Sequence, residues 1–409
     1  RRPVPPGVVL SGVAASRWDP CPRGAAAAGV AMRVESVEIR HLRCLRSVDV
    51  AFPEPGAWLV GPNGAGKTSV LEALCLLGFG RSFRGRVVDG LVQQGESALE
   101  VVARWTDDRG RSRVSGLRHA GDRWEARLDG AAVTSLSELA APFAVLCFHP
   151  ESSLVVTGPA EERRRALDWL AFHVEPRFAE AARRYGRALK QRNALLRSGA
   201  ADAEFEPWER EMGLMADGLV AQRTTALTLW RPGLERVWST LAGDAMPPDL
   251  QLRPGWRQSE ASLADLLLLN RVRDRELGYT TIGPQRADVD LGQPFGVDAE
   301  QLSRGQAKLV ALALVLAQAE ALREWSGERS LLLLDDLQAE LDPSRQAAVL
   351  DWVGCAGYQT LVSGTRWDEV LASRAPGWAV FHVEQGGRVV PPPSDPPESP
   401  SSSIGPSAT

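Results

Sequence analysis

The chain has 409 residues, 44% of them hydrophobic and 24% charged, with a formal net charge of −4. That length gives two or three domains, or one domain with a large insertion, and the composition is that of a globular protein with a real core. The slight acidity excludes a bulk-basic nucleic-acid binder, so any such contact must use a local patch. No run of about 18 apolar residues points to a membrane span.

Five cysteines (Cys21, Cys44, Cys75, Cys147, Cys355) are scattered, odd in number and without a C-x-x-C pair. They argue against a disulfide framework and a zinc site, and favour a reducing cytoplasm. Only three of the 47 basic residues are lysines: Lys67, Lys190 and Lys308.

Residues 1–31 are rich in Pro, Gly and Ala without periodicity. They read as a disordered arm or a gene-start artefact before Met32, since their apolar run is too short and interrupted for a signal peptide. Alternation predicts two strands over Val34–Phe52, a short strand at Ala57–Val60, further strands over 99–129 with turns at Gly110 and Gly121, and a buried strand at Val145–Phe148. Ser69–Leu77 reads as an apolar-faced helix. From about Pro159 to Arg273 helical periodicity dominates, and Pro176, Pro207, Pro232 and Pro247-Pro248 are expected to break it. Strand signals return at Gly278–Leu291, followed by a helix from Arg304 to about Arg323 and a strand at Leu331–Leu334. The Pro/Ser-rich stretch 389–409 is expected to be disordered.

Gly61-Pro62-Asn63-Gly64-Ala65-Gly66-Lys67-Thr68, then Ser69, matches the phosphate-binding loop G-x-x-x-x-G-K-[ST] between a predicted strand and helix. Its glycines let backbone N–H groups close round phosphates, with the helix N-terminus behind them. Lys67 is placed to reach the β- and γ-phosphates of ATP, and Thr68 to bind Mg²⁺. Leu331-Leu332-Leu333-Leu334-Asp335-Asp336 supplies a second metal ligand, Asp335, and a carboxylate, Asp336, to orient or deprotonate the attacking water.

Leu302-Ser303-Arg304-Gly305-Gln306 ahead of an apolar helix resembles the LSGGQ signature of ABC-type ATPases, and Ala339-Glu340-Leu341-Asp342 resembles their D-loop. The resemblance implies that Ser303, Gly305, Gln306 and Asp342 of one protomer close on the ATP of another, in a head-to-tail homodimer.

Within that class the chain is similar to the RecF family, from about Met32 to Glu384. The similarity rests on Val37–Arg43, Leu71-Glu72-Ala73, Gly80–Arg84, His149-Pro150-Glu151, Gly158-Pro159, Arg163–Arg165, Leu167-Asp168-Trp169, Lys190–Asn193, Gly278-Tyr279-Thr280, Gly283-Pro284, Arg286 and Gly305–Lys308. It implies an α/β fold: an ABC-type P-loop ATPase head (32–158 and 274–388), a mixed sheet with helices, carrying an inserted, mostly helical lobe (159–273). It further implies an ATP-gated clamp that closes on DNA at or near single-strand gaps or junctions and opens on slow hydrolysis. The partners implied are RecR, RecO and the RecA recombinase, in gap repair, replication and the SOS response.

There are departures. The expected switch-histidine segment reads Leu361-Val362-Ser363-Gly364-Thr365, so that either Thr365 contacts the γ-phosphate or no residue there does. Asp336 stands where transporters carry Glu, the Q-loop glutamine has no clear counterpart, and Gln285 stands where the family often has His. Slow hydrolysis, with ATP as a switch, is the expectation.

Residues 161–200 hold ten Arg or Lys against five acids. Arg183, Arg187, Lys190 and Arg197 share one helical face, opposite Phe178, Ala182, Tyr185, Leu189 and Leu196. Such a stripe can neutralise DNA phosphates, or it can be a solvated surface. Gly80–Arg84 and Arg163–Arg165 are further candidates, although those arginines could instead lock carboxylates such as Asp168. No base-reading motif is visible.

The alternative is another SMC/ABC-type ATPase working with a protein partner. An SMC- or Rad50-like arm needs sustained heptads that the proline-broken insertion lacks. A transporter subunit needs a membrane partner, and an overcome-lysogenisation-type nuclease needs a further carboxylate-rich domain.

Overall fold

The computed structural model describes residues 32–84, 90–366 and 373–390; the readings for 1–31 and 391–409 lie outside them. The chain begins with strands β1 (Arg33–Leu42), β2 (Leu45–Ala51) and β3 (Gly56–Val60), then helix α1 (Lys67–Phe79). Next come β4 (Ala98–Thr106), β5 (Ser112–Ala120), β6 (Arg123–Leu128), β7 (Ala131–Ala132), α2 (Leu136–Ala140) and β8 (Val145–Phe148). A helical stretch follows: α3 (Leu154–Thr157), α4 (Ala160–Val174), α5 (Phe178–Ser198) and α6 (Asp202–Ala242). It continues through β9 (Gln251–Arg253), α7 (Leu263–Leu269), α8 (Arg271–Leu277) and β10 (Asp288–Asp290). The last elements are α9 (Arg304–Ser326), β11 (Leu331–Leu334), α10 (Leu337–Glu340), α11 (Pro343–Ala356), β12 (Thr360–Gly364), β13 (Ala379–Val383) and β14 (Val389–Val390).

Two six-stranded sheets organise the head. One, in the order β2-β1-β4-β5-β6-β7, is antiparallel; the other, β14-β13-β3-β12-β11-β8, is parallel except at the β13–β14 edge. β4 alternates, with Leu99, Val101, Ala103 and Trp105 buried, as a sheet with one wet face requires. β3, β11 and β12 are buried at every residue, as parallel strands covered on both faces must be. Their side chains divide by parity between two cores. Ala57, Leu59, Val145, Leu331, Leu333 and Leu361 join the antiparallel sheet around α1. Trp58, Val60, Leu146, Phe148, Leu332, Leu334 and Val362 join the helices α4, α5, α6, α9 and α11. The period-2 geometry of a strand makes this division automatic.

The helical segment therefore shares a core with the head. Trp230 Nε1 on α6 donates to Leu314 O on α9 at 3.1 Å, and Gln318 Nε2 on α9 donates to Ala166 O on α4 at 2.8 Å. A Cβ on Gly233 would lie 2.9 Å from Ala317 O, so glycine sets the approach of α6 to α9. By length and composition α9 is the one helix among the described residues fit to cross a membrane, which the sequence reading overlooked; 78% of its most apolar window is buried inside the protein.

Two expected breaks do not occur. Pro207 and Pro232 lie inside the 41-residue α6. An interior proline costs about 3 kcal/mol or more. Both prolines sit on the exposed face, and the carbonyls they leave unpaired belong to exposed Ala203 and Thr228, where water can satisfy them. The opposite face is a continuous buried stripe from Phe205 to Leu241, each large apolar side chain contributing about 1.5–3 kcal/mol. Pro176 and Pro247-Pro248 do fall between elements. The strand signals at Gly278–Leu291 shrink to β10, paired with β9. Val389 and Val390, assigned to the tail, pair with β13 instead.

A buried ionic cluster fixes the far end of α5. Arg192, fully buried, donates to Glu209 (3.0 Å), Asp274 (2.7 Å), Thr280 Oγ1 (2.8 Å) and Leu267 O (3.1 Å). Arg271 closes it with a 2.5 Å bond to Glu209. Gln285 also finds its role here: it accepts from the Tyr185 hydroxyl and donates to Ile282 O at 2.8 Å, tying α5 to the 278–287 loop.

His173 on α4 is held by burial at about 4, against an ordinary 6.5. Between about pH 6.5 and 4 the unfolded chain binds the extra proton and the folded chain does not, so stability falls as acid is added. The loss reaches ~3 kcal/mol at the acid end. Urea titrations from pH 7 to 4 should show a shallower decline for His173→Phe than for the parent chain.

Candidate active site

The phosphate loop joins two buried elements, β3 and α1. Gly64 (φ 80°) and Gly66 (φ 112°) supply the left-handed turns that aim loop N–H groups outward. Packing permits no side chain at Gly61, where a Cβ would lie 2.1 Å from Val383 O; at Gly66 a Cβ would lie 2.5 Å from the end of the Leu45 side chain, and the positive φ is the stronger demand for glycine. Asn63, Gly64, Gly66, Lys67, Thr68 and Ser69 line a cavity of about 600 Å³. Gly61 and Pro62 instead lend their carbonyls to Lys67 Nζ, at 2.8 and 2.9 Å, and Ala65 is buried. Desolvation pushes the Lys67 ammonium below its usual range, opposed by the Asp336 and Asp335 carboxylates.

Asp335 and Asp336 complete the cavity from the end of β11. Asp335 is buried; its Oδ1 accepts from Thr68 Oγ1 at 2.9 Å and from Ser363 Oγ at 2.6 Å. Burial raises its pKa, opposed by those two hydrogen bonds. The same Ser363 oxygen accepts the Asp336 N–H at 2.8 Å. Asp336 takes a left-handed backbone (φ 53°, ψ 39°), which Asp tolerates better than most residues. That turn leads directly into α10.

Ser363 is the residue the sequence reading passed over. Thr365, one of the two alternatives left open there, is exposed and does not line the cavity. The β11–β12 register pairs Leu334 with Val362 and so sets Ser363 beside Asp335. Register also brings the segment after β8 to the cavity. β8 pairs with β11, Asp335 N–H donates to Phe148 O at 2.7 Å, and His149-Pro150-Glu151 then enter the cavity lining. Burial lowers the His149 pKa to about 4, so the ring is neutral at pH 7, and it packs 4.7 Å from the Phe83 ring. Arg43, Cys44 and Arg84 line the mouth. Fully buried Glu72 on α1 anchors that mouth, accepting two 2.7 Å bonds from Arg43 and one from Ser82.

None of Ser303, Gly305, Gln306 and Asp342 lines the cavity. Ser303 caps α9: its hydroxyl accepts Gln306 N–H at 3.2 Å, while Gln306 Oε1 accepts Ser303 N–H at 2.9 Å. Ser303, Arg304 and Gly305 are exposed. Asp342 caps α11 through Arg345 N–H at 3.0 Å. A 2.7 Å ion pair between Lys308 and Glu340 joins the two segments.

On α5, Arg183, Arg187, Lys190 and Arg197 are exposed. None lies within ion-pair distance of a carboxylate among the described residues, whereas Arg184 pairs with Glu211 at 2.7 Å and Arg192 is in the buried cluster. The Arg163–Arg165 triplet is committed elsewhere. Arg163 clamps Asp288 (2.7 and 3.0 Å), Arg164 donates to Ala287 O (2.8 Å), and Arg165 pairs with Glu161 and Glu162. Asp168 is taken by Arg223 at 2.7 and 3.0 Å.

A phosphate loop, a buried acid at the end of the adjoining parallel sheet and a capped, exposed signature helix define an SMC/ABC-type P-loop ATPase head. The RecF/RecN/SMC N-terminal domain family model matches residues 33–386. Over 360 residues the chain is 46% identical to the DNA replication and repair protein RecF of Stenotrophomonas maltophilia (strain R551-3), covering 86% of this chain and 98% of that one. The RecF protein of Thioalkalivibrio sulfidiphilus (strain HL-EbGR7) is 38% identical over 360 residues, covering 87% and 98%. The fold matches a solved structure of the recombination mediator protein RecF with ATP in the RecFOR pathway (TM-score 0.79, 22% identity, 90% and 100% covered). It also matches an Smc head bound to the C-winged helix domain of ScpA (TM-score 0.52, 16% identity, 88% and 97% covered). The chain belongs to the RecF family of DNA replication and repair proteins.

Gly61→Ala puts a methyl group against the β13 backbone, and a backbone atom cannot swing away as a side-chain end can. The variant should lose about 1–3 kcal/mol in urea unfolding, and lose phosphate-loop function with it.

Proposed function

We propose that the protein is an ATP-dependent DNA-binding protein of recombinational repair, acting as a homodimeric clamp. The observation that carries this reading is a separation. Lys67, Thr68, Asp335 and Asp336 converge on one cavity, while the signature at Ser303–Gln306 stands exposed outside it. A helix N-terminus with free N–H groups and an exposed hydroxyl is suited to phosphate, and a second copy supplies the phosphate it lacks. The Lys308–Glu340 pair would carry signature and D-loop into that contact as one unit.

In this reading the loop amides and Lys67 hold the ATP phosphates, Thr68 and Asp335 hold Mg²⁺, and Asp336 orients the attacking water. Bound Mg²⁺–ATP supplies the phosphoanhydride and the charge neutralisation that its cleavage needs. The Ser363 hydroxyl keeps Asp335 and Asp336 in fixed relation, and the missing switch histidine fits a weak, DNA-stimulated ATPase. We further propose that residues 32–158 and 274–388 act as the ATPase lobe and 159–273 as the DNA-side lobe. The α5 stripe would contact the phosphates of double- and single-stranded DNA at gaps or junctions. By family, RecR and RecO would join it to promote RecA loading in replication, repair and the SOS response. The cysteines suit a reducing cytoplasm.

Lys67→Met should abolish ATP binding and ATP-dependent DNA affinity. Ser303→Arg should keep ATP binding, measured with a fluorescent nucleotide, but lose ATP-induced dimerisation in sedimentation. Dimers of Ser303→Arg formed with ATP would refute closure by a partner's signature. For the stripe, Arg187→Glu with Lys190→Glu should weaken binding to any DNA sequence alike. It should also flatten the log-affinity against log-salt slope by about 2, one per lost phosphate contact.

A further inference from the structure

The basic stripe ends beside an exposed aromatic ring. Tyr279 follows the last turn of α8 and is 41% exposed. Its surroundings hold it still. The Arg286 guanidinium lies 5.1 Å from the ring centroid, covering one face. On the N-terminal side, Gly278 O accepts from Arg197 at 3.5 Å, and Gly278 takes φ 73° to make the turn. On the C-terminal side, Asn193 Oδ1 accepts both the Thr280 N–H (2.8 Å) and the Thr280 hydroxyl (2.7 Å), and buried Arg192 donates to that hydroxyl at 2.8 Å. Arg192, Asn193 and Arg197 all belong to α5, the helix that carries the stripe. Tyr279 is thus fixed to the end of the stripe by its neighbours on both sides. The four basic residues of the stripe span 15 residues, about 21 Å of helix.

We infer that Tyr279, backed by Arg286 and flanked by Arg197, is a stacking platform for one unpaired nucleobase. A flat aromatic face can stack on any base without reading its identity, and a guanidinium behind the ring adds cation–π support. A paired duplex offers no free base face except at an end, so the platform answers only where a strand leaves the duplex. The stripe then grips duplex phosphates, and Tyr279 takes the first base beyond them. This inference rests on the reading of the α5 stripe as a DNA contact. It supplies what that reading lacks, a device that distinguishes a gap from continuous duplex. The alternative use of an exposed ring, near exposed Leu277, is a protein contact.

The test uses the full chain with ATP and Mg²⁺, a paired duplex and a gapped duplex carrying 2-aminopurine at the first unpaired position. The parent protein should prefer the gapped duplex and quench the 2-aminopurine on binding. Tyr279→Ala should lower the preference by about 5- to 150-fold, the range for loss of one base–aromatic stack, and abolish the quench. Tyr279→Phe should restore both, because the ring stacks and the hydroxyl does not. Equal melting temperatures for the two variants establish that neither effect is unfolding. A Tyr279→Ala variant that keeps the preference and the quench overturns the inference. So does one that leaves DNA binding unchanged but alters self-association. The stripe is judged separately: if Arg187→Glu with Lys190→Glu leaves affinity for both DNAs intact, the parent reading fails, whatever Tyr279 does.

Discussion

One buried carboxylate holds the site together. Asp335 sits at the end of β11 and receives hydrogen bonds from Thr68 of the phosphate loop and Ser363 of β12. Three elements far apart in the chain are joined at a single oxygen. A carboxylate kept from water needs such partners, because desolvation otherwise favours its neutral form. The raised pKa shows that desolvation still dominates. A divalent cation held as proposed would add to the positive charge of Lys67 and favour the charged form of Asp335.

The helical segment depends on a different constraint. α9 is buried along most of its length and is gripped by α6, whose buried stripe from Phe205 to Leu241 is apolar except at Glu209 and Arg223. The first turn of α9, behind its cap Ser303 and including Gly305, emerges into solvent, as does the last turn with Glu324 and Trp325. A helix so anchored presents its N-terminus as a rigid anion-facing end. The other end of the segment is built from charge. The Arg192 cluster, of the kind that costs much to break, orders the 278–281 loop and with it Tyr279. The segment Ser303–Gln306 and the proposed DNA platform therefore stand on elements that share one core.

Much of the fold was legible in the residues. The buried strands at Val145–Phe148 and Leu331–Leu334 are continuous apolar runs, which only parallel strands covered on both faces need. The phosphate loop is legible because it is local: glycines, a lysine and a hydroxyl in one octapeptide. The α6 helix was not legible, because proline rules weigh the local cost and cannot see the packing that offsets it. Ser363 was missed for a related reason. Nothing marks one serine in Leu-Val-Ser-Gly-Thr until β12 is laid beside β11 in register. Helical spacing already sets Arg192 apart from the exposed stripe, and Arg163 is open to either use, but neither pattern names a partner. Only the positions of Asp288, Glu209 and Asp274 supply those partners.

The sequence by itself determined the class of chemistry: a phosphate loop, an acid pair after an apolar strand, and a signature at a helix start. Each is written within a few consecutive residues, because backbone geometry and side-chain reach act over that range. Tertiary structure decided which residues meet. It set Ser363 and His149 beside the acid pair through strand register, and it kept the segment Ser303–Gln306 out of the cavity lining. It also sorted the arginines and placed Tyr279 at the end of α5. Those outcomes depend on pairings across as many as 267 residues of chain, as between Thr68 and Asp335, and no local pattern encodes them.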